Sequence, residues 1–350
     1  MLGFYRTYTT PFKEEIPTLV DEFLLRVSLP KRFLRFFGRY LYAEFFLRKS
    51  KRQEVITEQQ KRILWIQWVD SYLGDSLMDL SSRVLLEGKK VDLLTKEYTA
   101  KIFDNDTVFN CVFTDSSQLN PDDYDLLIID SYRESSLGSF VDRLSHIPHV
   151  TLYGYYNVDN FNRLYFSFFR INQLLLNPCS EQHIKNTAKP LLPITLSDKA
   201  TVDKICLPNE FITIAIGGVW KERTFHNWQG VIDTLLAKGV IEKIVLVGAK
   251  DAEEESKIIC KQHHSNTINA VGKCTFNQTA EVISRSKLLI CADGGLTHAA
   301  NAVLTPVVCL FHELDPSVRL IEANKSIGIM DETCIDNISI NHIIEQVETF

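Results

Sequence analysis

The run from Leu288 to Asp315, LLICADGGLTHAANAVLTPVVCLFHELD, decides how the rest of the chain reads. Leu288-Leu289-Ile290-Cys291 is an apolar stretch of the length of a buried parallel strand, and Asp293-Gly294-Gly295 breaks it. Leu296 to Ala302 then reads as a helix that opens at the turn, and Pro306 to Phe311 as a second buried strand. The free N–H groups at such a helix start, with the positive end of its dipole, favour an anion such as a phosphate.

The same alternation extends outward. Ile63 to Trp68 reads as a strand, followed by a loop to Gly74 and a helix over 75–88; Val91 to Leu94 and Tyr124 to Asp130 are further strands. Residues 170–205 lose the rhythm at Pro178, Pro190 and Pro193, and it resumes with the strand Phe211 to Ile216, Gly217-Gly218, a helix over 227–238, the strand Ile244 to Val247 and a helix over 277–286. Strands alternating with helices imply an α/β protein with mainly parallel sheets covered on both faces. The segments divide as a helical extension (1–60), a Rossmann-like doubly wound domain (61–175), a linker (176–205), a second such domain (206–340) and a terminal helix (341–350) that packs back across the domain boundary. Ligands of such sheets sit beyond the carboxyl ends of the strands, which puts the loop Val69 to Asp75 beside a cleft.

Length and charge narrow the function. The chain has 350 residues, so two cores are expected. A net charge of −6 argues against a general nucleic-acid binder, yet eight Lys or Arg against the single acid Glu44 fall between Lys31 and Arg52. Around them Phe33, Phe36, Phe37, Tyr40, Leu41 and Leu47 recur at helical spacing, with Arg32, Arg35 and Arg39 on another face. A basic helix with an aromatic stripe fits peripheral contact with an anionic membrane through residues 31–52; packing of the stripe on the protein, with a solvated basic face, explains it equally. The eight cysteines are scattered without a C-x-x-C pair, which fits reduced thiols rather than a disulfide frame or zinc site. With neither a signal peptide nor a bilayer-length apolar run, the chain is expected in the cytoplasm.

Within the two strand-end loop systems, Gly217, Gly218, Lys221 and the Asp293-Gly294-Gly295 turn suit a diphosphate, and Asp75 follows Gly74 at a helix start. Plainer roles compete with each: Asp75 as a helix N-cap, Lys221 as a solvated lysine, His298 as a core histidine. Neither G-x-G-x-x-G nor G-x-x-x-x-G-K-[ST] occurs, so dehydrogenase and P-loop readings lose their usual support.

The segment Ser286 to Ala300 resembles the D-[ST]-G-x-x-H-x-A motif of the family 9 glycosyltransferases, the lipopolysaccharide heptosyltransferase family. Three more segments are similar in order and spacing: Gly74-Asp75 to the amino-terminal G-D loop, Lys221 to Trp228 (KERTFHNW) to K-R-W-P-x-x-x-W, and Val271 to Ile283 to G-K-T-S-L-x-E-L-A. The resemblance covers residues 62–350. It implies a GT-B fold, two Rossmann-like domains facing an interdomain cleft with the nucleotide sugar held by the second, and inverting, metal-independent chemistry. By position it implies Asp75 as general base, Lys221 opposite the departing diphosphate and Asp293 on sugar hydroxyls. The amides of Gly294, Gly295 and Leu296 would meet the phosphates with Thr297 and His298 nearby, Glu253 or Glu254 would bind the ribose, and Cys274 would lie near the base.

The chain departs from the family pattern in three places. Gly294 replaces Ser or Thr, Arg223-Thr224 replaces Trp-Pro, and Phe311-His312-Glu313-Leu314-Asp315-Pro316 replaces a G-P-T-D-P run. The resulting expectation is transfer of a sugar, a heptose from ADP-heptose, to a lipopolysaccharide core or related lipid-linked glycan at the inner face of the bacterial inner membrane, with no cofactor, metal or nucleic acid. A nucleotide-sugar epimerase of the same fold and a non-catalytic nucleotide-sugar-binding homologue are the alternatives.

Overall fold

Ile63 to Ile66 and Leu126 to Ile129 are each buried throughout. Strands that bury both faces belong inside a sheet covered by helices on either side. The computed structural model describes residues 49–350 apart from 69–71, 133–140, 155–160, 219 and the side chains at 141 and 142, together with residues 34, 37, 38, 40, 41, 43, 45 and 47. It divides into two compact units, 1–191 and 192–350.

In the first unit β1 (Arg62–Gln67), β2 (Lys90–Thr95), β3 (Phe109–Phe113), β4 (Leu126–Ser131) and β5 (His149–Gly154) form a parallel sheet in the order β3-β2-β1-β4-β5. The chain winds outward one way from β1 and the other way from β4, so the loop after β1 opens at the switch point. Helix α1 (Leu73–Ser81) follows that loop. The helix predicted over 75–88 therefore ends early, continuing as a 3-10 turn over Ser82–Leu86. The serines account for this: Ser81 Oγ donates to the Leu77 carbonyl, and Ser82 Oγ shares a hydrogen bond with Ser167. Helices α2 (Glu97–Phe103), α3 (Val141–Leu144), α4 (Arg163–Leu174) and α5 (Glu181–Thr187) complete the unit.

The extension is tied to the β5 edge. His149 N–H donates to the Lys51 carbonyl and Gln53 N–H to the His149 carbonyl, so 51–53 covers hydrogen-bonding groups that an edge strand would expose. Buried Arg170 clamps this segment by donating to Glu54 and the Thr151 carbonyl. Upstream, the aromatic stripe divides. Ala43 and Leu47 are buried on the core beside Tyr40, whereas Leu34, Phe37, Leu41 and Phe45 are exposed. Phe33, Phe36, Arg32, Arg35 and Arg39 lie outside the described residues.

The second unit repeats the topology. Strands β6 (Ile212–Ala215), β7 (Ile244–Val247), β8 (Thr267–Asn269), β9 (Leu289–Ala292), β10 (Val307–His312) and β11 (Ser326–Asp331) pair in parallel in the order β11-β10-β9-β6-β7-β8. Its switch point lies between β6 and β9. Side-chain alternation sends Ile290 into one core with Ile214, Leu246 and Trp228, and Leu289 and Cys291 into another with Val245, Ala299 and Ala300. The helices are α6 (Leu196–Asp203), α7 (Trp228–Ala237), α8 (Glu253–Gln262), α9 (Phe276–Ser284), α10 (Gly295–Val303) and α11 (Ile340–Val347). The terminal helix packs Ile343, Ile344 and Val347 into the core that holds Trp228 and Val231 of α7, within its own unit. Residues 176–205, read as linker, carry α5 and α6: Ser180 caps the first and a Thr195–Asp198 capping box opens the second.

His149 gives the first unit a pH dependence. Ser50 Oγ donates to the Ile147 carbonyl, so His149 Nδ1 must carry the proton toward Ser50, leaving Nε2 to accept from Tyr132. Burial, aided by Arg52, lowers the imidazole to about 4. Below the unfolded value of 6.5 the unfolded chain gains a proton that the folded chain refuses. The stabilisation is thus complete above pH 6.5 and is lost as pH falls toward 4; at 1.36 kcal/mol per pKa unit it is on the order of 3 kcal/mol. Urea unfolding of the native chain and His149→Gln at pH 7, 5.5 and 4.5 should give a free-energy gap that closes toward acid. A gap constant across that range rejects the assignment.

Candidate active site

Asp75 stands in the first turn of α1, at the carboxyl end of β1. It is not the N-cap: Tyr72 holds that position and no side chain caps it. The Asp75 side chain is a quarter exposed, and its Oδ1 lies 3.9 Å from Arg163 Nε. Arg163 opens α4 and pairs with Asp79 through Nε at 3.1 Å and through Nη2, while the Tyr153 hydroxyl also donates to Asp79. Burial pushes the Asp79 carboxyl up, against Arg163 and Tyr153. Despite desolvation, Asp79, Tyr153 and Asp75 hold the Arg163 guanidinium well above its ordinary value. No motif in the sequence marks Arg163, Asp79 or Tyr153, although one signal is present: carboxylates four apart on a helix, Asp75 and Asp79, repel and call for a cation between them. The start of the preceding loop, Val69 to Ser71, lies outside the described residues.

In the second unit the loops after β6, β7 and β9 approach one another. Gly217 has φ +82°, and a Cβ there would stand 2.7 Å from the Ala252 Cβ, so the glycine lets the β6 loop pack on the start of α8. The Gly218 amide, expected to face a phosphate, donates to Asp251 Oδ2 at 3.2 Å. Glu253 is the first residue of α8, and its carboxyl lies where a Cβ on Gly272, at φ +69°, would come within 2.7 Å of it. Glu254 is exposed and pairs with Lys257. Cys274, half-buried with its thiol pushed up by burial, directly precedes the Thr275 cap of α9.

Asp293 follows β9, its amide bound to the Leu310 carbonyl. Its carboxylate is buried and stands between two guanidiniums: Arg223 Nη1 is 3.1 Å from Oδ2 and Arg319 Nε 3.4 Å from Oδ1. Neither approach is aligned as a hydrogen bond, so both carboxylate oxygens, and Arg319 Nη1, are buried without one. Gly294 is extended at φ 178° and Gly295 begins α10, so the Gly294-Gly295-Leu296 amides lie at a helix start as predicted. Gly294 stands in backbone that any residue adopts, so the departure from Ser or Thr is not imposed by strain. Lys221 is exposed on the 3-10 turn Lys221–Arg223 that brings Arg223 to Asp293.

One expected residue turns into the core instead of toward this loop cluster. The Thr297 hydroxyl is fully buried between Cys291 and Cys309 Sγ, at 3.5 and 3.3 Å, and so packs in the core rather than reaching toward a ligand. His298 is buried on the same helix. His312 ends β10 with Nδ1 3.3 Å from the Asp331 carbonyl, which ties β10 to β11. In the sequence Arg223 reads only as a departure from the family motif, and nothing near residue 319 points toward residue 293. Among the described residues no group of three or more His, Cys, Asp and Glu is placed to hold a metal.

Two Rossmann-like parallel units, each with charged residues at a switch-point loop, are the architecture of the GT-B class, a fold that several activities share. Residues 173–347, half the chain, match the family model described as glycosyltransferase family 9 (heptosyltransferase), and the chain belongs to that family. Solved structures agree in fold. A family 9 glycosyl transferase from Veillonella parvula is 15% identical with a TM-score of 0.68, covering 85% of this chain and 99% of its own. The E. coli heptosyltransferase WaaC with ADP is 16% identical at 0.62, covering 82% and 99%. The E. coli ADP-heptose heptosyltransferase II is 15% identical at 0.59, covering 83% and 98%. Among curated proteins none is similar enough in sequence to match the chain.

Because Asp79 is fully buried and depends on Arg163, removing the guanidinium strands a charge in the core. Arg163→Met should cost about 3–5 kcal/mol, the scale for breaking a buried pair. Urea unfolding measures this, and a loss below about 1 kcal/mol, the scale of a surface pair, would show that the cluster is not a buried ion pair.

Proposed function

We propose that the chain transfers a sugar, a heptose from ADP-heptose, to the core of a lipopolysaccharide or a related lipid-linked glycan, with inversion and without a metal. The observation that carries this reading is the Asp293-Gly294-Gly295 turn at the second switch point, with a buried carboxylate whose oxygens lack hydrogen bonds beside a helix start with free amides. A sugar diphosphate needs both features, hydroxyl acceptors next to an anion site. The names of the E. coli relatives, which carry ADP or ADP-heptose, support the choice of nucleotide.

In this reading Asp75 takes the proton of the acceptor hydroxyl as that oxygen attacks the anomeric carbon. The bond to the diphosphate breaks on the opposite face. Lys221, beside Arg223, and the Gly294 to Leu296 amides meet the negative charge developing on the leaving oxygen, the role that a cation or helix start fills best when aimed there in advance. Glu253, held against Gly272, binds the ribose, with Cys274 near the base. The Gly218 amide joins the phosphate site only by exchanging Asp251 for substrate.

Release of nucleoside diphosphate, measured with ADP-heptose and heptose-deficient lipooligosaccharide, tests the assignment. Asp75→Asn should lower kcat by about 10²–10⁴-fold, the usual contribution of a general base, with donor affinity kept. Lys221→Met should lower kcat as well. Consumption of donor without acceptor would make the chain an epimerase. Donor binding with no transfer by native or Asp75→Asn protein would make it a binding homologue.

The acceptor's lipid gives the extension a role: residues 31–52 rest on an anionic membrane. Among the described residues no helix is long and apolar enough to cross one, while Leu34, Phe37, Leu41 and Phe45 form an exposed stripe at helical spacing within a strongly basic stretch. Full-length protein should sediment with vesicles containing phosphatidylglycerol, less so as salt rises, and Leu41→Glu should weaken this. Equal sedimentation with neutral phosphatidylcholine vesicles, or none with either, rejects the charge-driven contact.

A further inference from the structure

Asp293 and Arg319 form an unusual pair. A carboxylate and a guanidinium this close ordinarily close two parallel hydrogen bonds. Here Arg319 approaches through Nε at 3.4 Å without alignment, which leaves Asp293 Oδ1 and Oδ2 unfilled and Arg319 Nη1 without an acceptor. The Asp293 side chain is 3% exposed and that of Arg319 12%. Orphaned groups at such depth cost about 1–3 kcal/mol each, more when charged, so three together in a native fold call for a ligand. The positions are also fixed from behind: Asp293 N–H is bound to Leu310, and the Arg319 carbonyl accepts from Asn301 Nδ2 at 3.2 Å.

We infer that Arg319 contacts the transferred sugar and, with Asp293, forms a donor–acceptor pair for two neighbouring hydroxyls. One hydroxyl donates to Asp293 and accepts from Arg319 Nη1; its neighbour donates to the second carboxylate oxygen. This deepens the nucleotide-sugar reading and rests on it. The complement fits a neutral polyol better than an acidic sugar, because a sugar carboxylate has no hydrogen to give the Asp293 oxygens. Arg223, at 38% side-chain exposure, is the more open of the two cations; Arg319 is the one enclosed with the carboxylate.

The test separates the sugar from its nucleotide. Calorimetric affinities of the full chain for ADP-heptose, UDP-glucose, GDP-mannose and UDP-glucuronate are compared with those for ADP, UDP and GDP. Native protein should bind one neutral nucleotide sugar at least tenfold more tightly than its nucleotide. Arg319→Met should lose at least tenfold on that sugar nucleotide while staying within about twofold on the nucleotide alone. Arg319→Lys, which keeps the charge and most of the volume, should lose the preference too, since a compact ammonium on a flexible stem lacks the rigid fork that sets Nη1 toward a hydroxyl while Nε faces Asp293; it carries the comparison if the methionine variant fails to fold.

Equal losses on sugar nucleotide and nucleotide would assign Arg319 a structural role. An unchanged preference in a folded variant, or a preference for the glucuronate donor alone, overturns the inference while leaving the transferase reading intact. Failure of every nucleotide to bind native protein overturns both.

Discussion

Parallel pairing is the constraint on which both units depend. Parallel neighbours cannot be joined by a tight turn, so every strand hands the chain to a crossing segment that must cover a sheet face before the next strand can begin. Both faces are thereby buried, which is why β1, β4, β7 and β9 read as apolar runs rather than alternating ones. All carboxyl ends lie along one edge of each sheet. Where the winding reverses, between β1 and β4 and between β6 and β9, the outgoing segments part and leave backbone there uncovered. Asp75 and the Asp293-Gly294-Gly295 turn both follow strands at these reversals. Their placement is a product of topology before it is a product of chemistry.

Two buried carboxylates show how differently such an edge can be finished. Asp79 and Asp293 each stand beside arginine, and each has paid a desolvation cost that a bare charge could not sustain. Asp79 is closed: Arg163 and Tyr153 fill its oxygens with aligned donors. It serves as a strut that holds the Arg163 guanidinium within 3.9 Å of Asp75. Asp293 is open, with its charge balanced by proximity to Arg223 and Arg319 and its lone pairs unfilled. A satisfied group rigidifies its surroundings, whereas an unsatisfied one at the same depth keeps free energy available for a ligand.

The sequence made the sheets legible because burial on both faces leaves an unmistakable run of apolar residues, and the helix start at Gly295 because glycines break that run. Three features were less accessible. Ser81 and Ser82 turn their hydroxyls back onto the α1 backbone and close the helix a turn and more before its apolar pattern fades. The Thr195–Asp198 box opens a helix inside a stretch whose prolines suggested a linker, so caps outweighed punctuation. The extension's stripe divided because a helix lying on the protein sends only one part of a wide apolar arc, Tyr40, Ala43 and Leu47, into the core. In the site, partners of Asp293 come from positions 70 residues upstream and 26 downstream, and only the fold brings them together.

The departures from the family pattern become coherent when charge is counted. Arg223 stands where the family motif carries tryptophan, a change that taken alone would place an unneeded cation on the loop beside Lys221. In this chain the guanidinium reaches 3.1 Å from the Asp293 carboxylate, which Arg319 also approaches. One carboxylate between two guanidiniums leaves a unit of positive charge, and Arg223, the more exposed of the pair, carries it where the helix-start amides already favour an anion. His312, by contrast, points its ring at the Asp331 carbonyl and secures β11 to β10, so that departure alters the sheet margin rather than the charge near the turn. The substitution that changes the surroundings of the turn is therefore the one on the β6 loop: it exchanges an aromatic surface for a half-exposed cation, which adds to the positive potential of the helix-start amides while the Asp293–Arg319 pair stays enclosed.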